Sequence, residues 1–328
     1  MQIDKVAKVM VDLFLGLMLM VILFPFIVVI SLLFEGIDRK LHARLQNRIG
    51  PPIIQPFYDF FKLFGKERVI PESASASIFT VAPVLAVICA ILGAVIPFVS
   101  TLFRINFVGD LILVVYLLSM PSLMIMIGGS ASGNPFGTIG YSRGITVLMS
   151  YEVPFVLSIG LISFKTGFSI TSYNIIMAQE SAGMPLAFSY FSMAFAAAAF
   201  LFCIPSAAGT LPFDLADAKT EIIHGSLIEY SGPYLALLKM SKSVVSFAMA
   251  FLSSTLFFHI LFPSDSLVFG TLINLIVSLL IALLIMFITI TLPRTIFARL
   301  KSGQVLKFYW SIPLVLVIIA VAFIIIGL

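Results

Sequence analysis

Thiols are almost absent from this chain. Its two cysteines, Cys89 and Cys203, both sit inside apolar runs, and an iron–sulfur cluster normally takes about four thiolates, so no cluster is expected here. Histidine is nearly as scarce: His42, His224 and His259 lie in separate segments without an i, i+4 pair, which argues against a histidine metal site. No phosphate-loop Gly-Lys-Ser/Thr occurs, and no Gly-x-Gly-x-x-Gly follows a strand, so a nucleotide site is not expected either. Charge is the third shortage, at 10% of residues. The net charge of +4 comes with no basic–aromatic surface motif, which removes nucleic acid from the expected partners.

Apolar residues fill the space. They make up 61% of the 328 residues, with a mean hydropathy of +1.17, and they recur in long runs that no soluble core could bury. A helix needs about 20 residues to cross the hydrocarbon. Runs of that size bounded by proline, glycine or charge predict an all-α polytopic membrane protein with about eight transmembrane helices: Leu13 to Phe34, Ile78 to Val99, Leu111 to Ile127, Ile145 to Phe164, Leu186 to Pro205, Val244 to Phe262, Leu267 to Leu292 and Phe308 to Leu328. Residues 1–328 read as one integral membrane domain. The Gly-Gly of GGSASGNPFGTIG reads as part of a turn-rich loop.

With eight spans the termini share a side, which holds only Lys5, Lys8, Arg104 and Lys165. The other fifteen of the nineteen lysines and arginines face the opposite way. The positive-inside rule then puts both termini outside and the loops after spans one, three, five and seven in the cytoplasm.

Two of those loops are patterned. In 35–77, Gly50-Pro51-Pro52 breaks any helix, and Phe57, Phe60, Phe61 and Phe64 then recur at helical spacing around Asp59, Lys62 and Lys66. The pattern predicts an amphipathic helix on the membrane surface, serving as a lipid anchor or as a docking platform for a soluble partner. In 206–242, Asp214, Asp217 and Glu221 stand at i, i+3 and i+7. If Leu215 to Ile223 is helical they form one stripe, with Pro212 suited to the helix entry. Clustered, desolvated carboxylates raise one another's pKa, and Lys219 could set one of those values; the alternative is a solvated turn laced with salt bridges. His224 in the same loop is read as a solvated residue before a proton shuttle.

Glu152, in VLMSYEVPFVLSIG, is an acid in apolar surroundings. A buried acid costs a few kcal/mol unless it meets a partner or water, so it carries a task or else marks an interface if the fourth span begins later. Tyr309 and Trp310 read as an aromatic belt, and His259 as a satisfied interfacial residue.

The motifs together resemble a family. Arg48-x-Gly50-Pro51, then Gln55-Pro56-x-x-Asp59-x-x-Lys62-Leu63, then PFDLADAKTEI and Ile228-Glu229-Tyr230 are similar to the signature set of the heel subunit of respiratory complex I and its relatives. The segment joining the Gly-Pro and Gln-Pro elements is shorter than in complex I. NPFG at 134–137 and HGSLIEYSG at 224–232 look like the membrane anchor of energy-converting nickel–iron hydrogenase complexes, and Lys219 stands where complex I tends to keep a glutamate.

The resemblance implies a non-catalytic subunit of a multisubunit oxidoreductase in a prokaryotic cell membrane. Iron–sulfur clusters and a nickel–iron site would lie in partner subunits: a hydrogenase-like large subunit, iron–sulfur subunits fed by ferredoxin, and antiporter-like membrane subunits. It implies docking through Asp38, Arg39, Arg44, Arg48, Gly50, Pro51, Gln55, Asp59 and Lys62. It implies a proton or ion path through Glu152 (with Tyr151), Arg143, Asp214, Asp217, Lys219, Glu221, His224 and Glu229. A quinone-chamber subunit is the alternative within the family; a stand-alone secondary transporter is the alternative outside it, favoured by internal repeats that are not visible here.

Overall fold

The computed structural model describes residues 2–104, 109–260 and 267–326, with side chains for 22–104, 109–260 and 270–326. Phe262 and Leu328, the expected ends of spans six and eight, lie outside the described residues, as do the side chains of Lys5 and Lys8. All regular structure among the described residues is helical. In chain order it comprises α1 (Gln2–Leu45), α2 (Gln55–Phe64), α3 (Ala76–Phe103), α4 (Asp110–Ser130), α5 (Pro135–Lys165), α6 (Ser172–Ala182), α7 (Leu186–Ser189), α8 (Phe191–Ala207), α9 (Lys219–Ile222), α10 (Gly232–Phe257), α11 (Leu267–Met286), α12 (Leu292–Ile296) and α13 (Ser302–Ile326). Among the described residues six helices are long and apolar enough to cross a membrane: α3, α4, α5, α10, the α11–α12 unit from Gly270 to Ile296, and α13. The protein is a polytopic membrane protein.

Several helices overrun the apolar runs that predict them. The fourth begins ten residues before Ile145, because Asn134 caps it: Asn134 Oδ1 accepts from Phe136 N at 2.9 Å and Pro135 opens the first turn. Glu152 is therefore well inside α5 and not at its edge. The sixth begins twelve residues early, at Gly232-Pro233, so Lys239 and Lys242 belong to α10. The fifth run is divided, because Tyr190 is extended (φ −140°, ψ 136°), leaving α8 with only 17 residues. The Gly128-Gly129 pair is not in a loop at all; it closes α4, and the connection to α5 is the short segment 131–134.

At the far end of α11, residues Phe287–Thr291 form a π turn before Pro293. Proline lacks an N–H and its ring would crowd the carbonyl of residue 289, so the wider turn relieves both. Prolines inside α3, α4, α5, α8 and α13 are accommodated by neighbouring helices, as is common in membrane spans.

α10 is the most enclosed span and α13 the least. α3, α4 and α11 pack on or beside α10, while α5, α8 and α13 pack on one another. The seam is aromatic: Phe98, Phe155, Phe200, Phe247, Phe251 and Phe257 are all fully buried and meet in tilted or stacked pairs 5.3–5.7 Å apart. At the opposite end from the acidic loop, α6 closes the bundle. Gln179 donates to the last-turn carbonyls of α10, Thr255 O at 3.0 Å and Leu256 O at 3.2 Å, satisfying groups that helix ends leave open.

Candidate functional site

The acidic loop is the polar centre of the molecule, and its geometry differs from the expected helical stripe. Of the expected helix from Leu215 to Ile223 only Lys219–Ile222 is helical, and a 3-10 turn follows at Gly225–Leu227. Residues 210–218 run as turns, in which Leu215 N bonds to Phe213 O at 2.9 Å and Ser226 N to Ala216 O at 3.3 Å. Pro212 sits in the turn and not at a helix start; its carbonyl accepts from Leu300 N at 3.1 Å. Tertiary contacts have overridden the local helical tendency.

The loop is seated in a cleft lined by glycine. A Cβ on Gly129 of α4 would lie 2.6 Å from Ser226 Cα, and one on Gly140 of α5 would lie 2.6 Å from Ser226 N. Side chains there would evict the loop, so the glycines let backbone approach backbone. Tyr230 anchors the exit. Its ring stacks on Phe79 with centroids 4.1 Å apart, and its hydroxyl donates to Phe79 O at 3.2 Å.

Three cations from three separate elements reach the three carboxylates. Lys242 of α10 pairs with Asp217, whose other oxygen accepts from Ser226 Oγ at 2.9 Å. Arg143 of α5 meets Glu221 at 2.5 Å. Arg299, between α12 and α13, lies 3.4 Å from Asp214 and 3.8 Å from Glu221, and bonds Thr220 Oγ1 at 3.1 Å. Burial pushes the Asp214 carboxyl up to about 6; Lys242 opposes that rise, Asp217 adds to it, and Arg299 opposes it. Lys219, expected to tune these acids, is exposed and makes no ion pair among the described residues. Lys242 holds that position. His224 is exposed, and partial burial followed by Lys219 lowers its imidazole pKa, with Asp217 opposing. Glu229 is turned away from the trio and accepts from Asn134 Nδ2 at 2.6 Å, tying the loop to the cap of α5.

Asp214 and Lys242 border a small cavity of about 50 Å³ that is also lined by Ser206, Ser122 and Tyr151. That is room for a few waters. The Tyr151 hydroxyl is buried there and makes no hydrogen bond to protein. The next residue, Glu152, half-buried, lines a groove of about 460 Å³ between α4 and α5 with Tyr116, Val156 and Ser163. Tyr309 is not part of an aromatic belt: it is fully buried, its hydroxyl 2.6 Å from Ser206 Oγ and donating to Phe202 O at 2.8 Å. Trp310 alone is exposed. His259 is buried at the opposite end with neither ring nitrogen hydrogen-bonded, 3.6 Å from Glu180, so it is not a satisfied surface residue.

The first patterned loop folds back on α1, which itself continues through Leu45. Gly50 has φ +73° and passes so close to Ala43 that an added Cβ would lie 2.7 Å from the Ala43 methyl, so both conformation and space require glycine; Pro51 then fixes the turn. The expected docking residues divide. Asp38 is buried and accepts from Thr291 Oγ1 at 2.7 Å and Arg294 at 3.0 Å; Arg39 clasps Glu35 and, at 2.7 Å, Asp59, which Gln55 also bonds at 3.0 Å. These brace α1 against α2 and the π turn. The Asp59 carboxyl, outside the spans, is held below its ordinary value by hydrogen bonds from Arg39 and Gln55, which outweigh its partial burial. Arg44, Arg48 and Lys62 are exposed. α2 lays buried Pro56 against the bundle and presents Tyr58, Phe61 and Phe64 outward. Between α1, α10 and the π turn, a chamber of about 260 Å³ is lined by Glu35, Asp38, Arg39, Lys239, Lys242 and Arg294 among others. Among the described residues no three His, Cys, Asp or Glu side chains converge as metal ligands.

This multi-helix membrane bundle cradles an acidic loop under cations from separate helices, and its likeness to known proteins makes it a membrane subunit of the complex I-like and hydrogenase-type respiratory complexes. The family model described as NADH dehydrogenase matches residues 17–325, and the chain belongs to that family. It is 30% identical over 306 residues to the H subunit of the NADH-quinone oxidoreductase of Dehalococcoides mccartyi strain CBDB1, covering 90% of this chain and 82% of the relative. It is 33% identical over 271 residues to hydrogenase-4 component C of Escherichia coli K12, covering 81% and 83%. Among solved structures it is similar to a chain of the membrane-bound sulfane sulfur reductase, an archaeal respiratory membrane complex, with a TM-score of 0.83 and 30% identity over 93% of this chain and 98% of that one. The protein is thus a multi-pass part of a multisubunit membrane respiratory complex.

Proposed function

We propose that this chain anchors a peripheral redox arm of the hydrogenase type and couples its ferredoxin-driven electron transfer to ion translocation. In this reading α1 and α8 join the six long spans to make eight, and both termini face outward from a prokaryotic cell membrane. The acidic loop and α2 then face the cytoplasm beneath a hydrogenase-like large subunit. Iron–sulfur clusters and a nickel–iron site belong to the partner subunits, and antiporter-like subunits flank this chain in the membrane. Exposed Arg44, Arg48 and Lys62 meet the arm, while Asp38, Arg39, Gln55 and Asp59 hold α2 in place.

The carrying observation is Asp214, poised at about 6 beside the Lys242–Asp217 pair and a cavity able to hold water. A carboxyl near that value takes up and releases protons at working pH. A small relative movement of α5, α10 or the α12–α13 segment would change its cation neighbours and so its proton affinity. Tyr151 and Glu152 extend the polar route outward through α5. The chamber beside α1 supports the hydrogenase reading over a quinone chamber, because its charged lining suits water and ions better than an apolar quinone tail.

Purification in mild detergent followed by ion uptake into inverted vesicles tests the proposal. Co-purified iron–sulfur and nickel–iron subunits, with uptake depressed by Asp217→Asn, are expected. A lone chain that transports ions without them would refute it.

A further inference from the structure

Outside the acidic centre lies an apolar slot of about 430 Å³ where α8, the π turn and the start of α13 converge. Its walls are Phe202, Pro205, Phe213, Ile288, Phe297 and Phe308. Phe202, Ile288 and Phe297 at its rim are exposed, so the slot opens from the bundle toward the bilayer. No carboxylate lines it.

The surroundings are positively charged. Lys301 and Lys307 directly adjoin the slot residues Leu300 and Phe308, are exposed, and form no ion pair among the described residues. Arg294 and Arg299 also border it, but Asp38 and the acidic loop occupy them. Exposed Trp310 stands one turn further into α13, the residue type that settles at headgroup level. An apolar recess at the end of the spans, two exposed lysines next in sequence to its lining residues and without an ion pair among the described residues, and an indole one turn further along α13 match one amphiphile: acyl chain inward, anionic headgroup at the rim.

We propose that this slot binds an anionic phospholipid of the leaflet on the acidic-loop side. The bound chain would do more than fill space. Phe213, one wall, immediately precedes Asp214 and packs on Phe308 and Tyr309 with centroids 5.6 and 5.1 Å apart. An occupied slot therefore braces the segment that carries the buried acid.

The test uses the intact complex. A photoreactive benzophenone side chain replacing Phe297, irradiated in native membranes, should give an adduct with the mass of an anionic phospholipid. An adduct with a partner protein, or with zwitterionic lipid alone, would overturn the proposal by showing a different occupant. In parallel, the delipidated complex is titrated with phosphatidylglycerol or phosphatidylcholine micelles and read by native mass spectrometry. Lys301→Gln combined with Lys307→Gln should weaken phosphatidylglycerol binding about thirtyfold, at roughly tenfold or less per lysine, and leave phosphatidylcholine unchanged. Both lysines are exposed, so subunit content should hold. Equal weakening of both lipids, or of neither, would refute the headgroup assignment.

Discussion

Replacing Lys242 by glutamine is the sharpest perturbation of the proposed coupling centre. The ammonium pairs with Asp217 and is the largest influence opposing the burial-driven rise at Asp214. An opposite charge within about 4–6 Å shifts a carboxyl by about 1–3 pH units, so its loss should carry Asp214 from about 6 to roughly 7–9. The ionised form of Asp214 is the one able to accept a proton. The acidic limb of coupled ion uptake should therefore move to higher pH by about 1–3 units, with turnover at pH 7 depressed by about twofold for the smallest shift and about ninetyfold for the largest. Asp217 is left buried without its cation, a situation worth about 3–5 kcal/mol unless it protonates. Adding Asp217→Asn removes that charge, so assembly lost in the single variant should return in the double one. The assay is ferredoxin-driven ion uptake into inverted vesicles from pH 5 to 9, with subunit content measured in each variant. Lys219→Gln serves as the control, since Lys219 is exposed and without an ion pair among the described residues. An intact Lys242→Gln complex with an unmoved acidic limb would refute the reasoning.

Glu152→Gln keeps shape but removes titration, so it should slow ion translocation while subunit content stays normal; unchanged uptake would remove Glu152 from the path. Gly140→Ala should destabilise the complex by about 1–3 kcal/mol, because its methyl would strike the Ser226 backbone; a thermal-shift midpoint equal to wild type would contradict the close seating of the loop. Cysteine labels at Arg44 and Thr220 should react from the cytoplasmic side only after the peripheral arm is stripped, and labelling from outside would reverse the topology. Asp214→Asn should change the pH dependence of stability. In the wild type, folding raises this carboxyl from 3.8 to about 6. The unfolded chain therefore ionises first, and stability relative to the variant should fall as pH rises between about 4 and 6, by about 3 kcal/mol or less, then level off; parallel curves across that window would show that the group is not buried as described.

What can be read from the residues follows from which forces are local. Hydrophobic run length locates the spans, because the energetic demand of the bilayer is written into contiguous residues. Helix starts escape it where a polar cap precedes the apolar run, at Asn134-Pro135 and Ser231-Gly232-Pro233; the capping signal is present but lies outside any hydropathy window. The acidic residues are legible by type in a chain so poor in charge. Their partners are not, since Arg143 lies 78 residues from Glu221 and Arg299 lies 85 from Asp214, and no local pattern encodes such pairs. Nor can spacing show that Gly128-Gly129 ends a helix. That conformation follows from Tyr230 and Ser226 packing against it, and the same residues at the surface would have suited a turn.

The separation of those partners is itself an argument about coupling. Had the carboxylates formed a stripe on one helix, their spacing would be fixed by a rigid element and their proton affinities would be insensitive to movement elsewhere. Instead a turn-built segment holds them, and each meets a cation carried by a different part of the bundle: α5, α10 and the α12–α13 segment. Charge interactions vary steeply at these distances, so displacing one of these elements by an ångström or so changes the balance at Asp214 without unfolding anything. Glu229, joined to the Asn134 cap, ties the same segment to the start of α5, so a shift of that helix pulls on the loop as well as on Arg143. The glycine cleft seats the loop backbone tightly, so such an exchange of ion pairs would not require the backbone to leave it. On the proposed function, a loop of this construction would convert helix displacement into a change of protonation where the peripheral arm is proposed to press on the membrane domain.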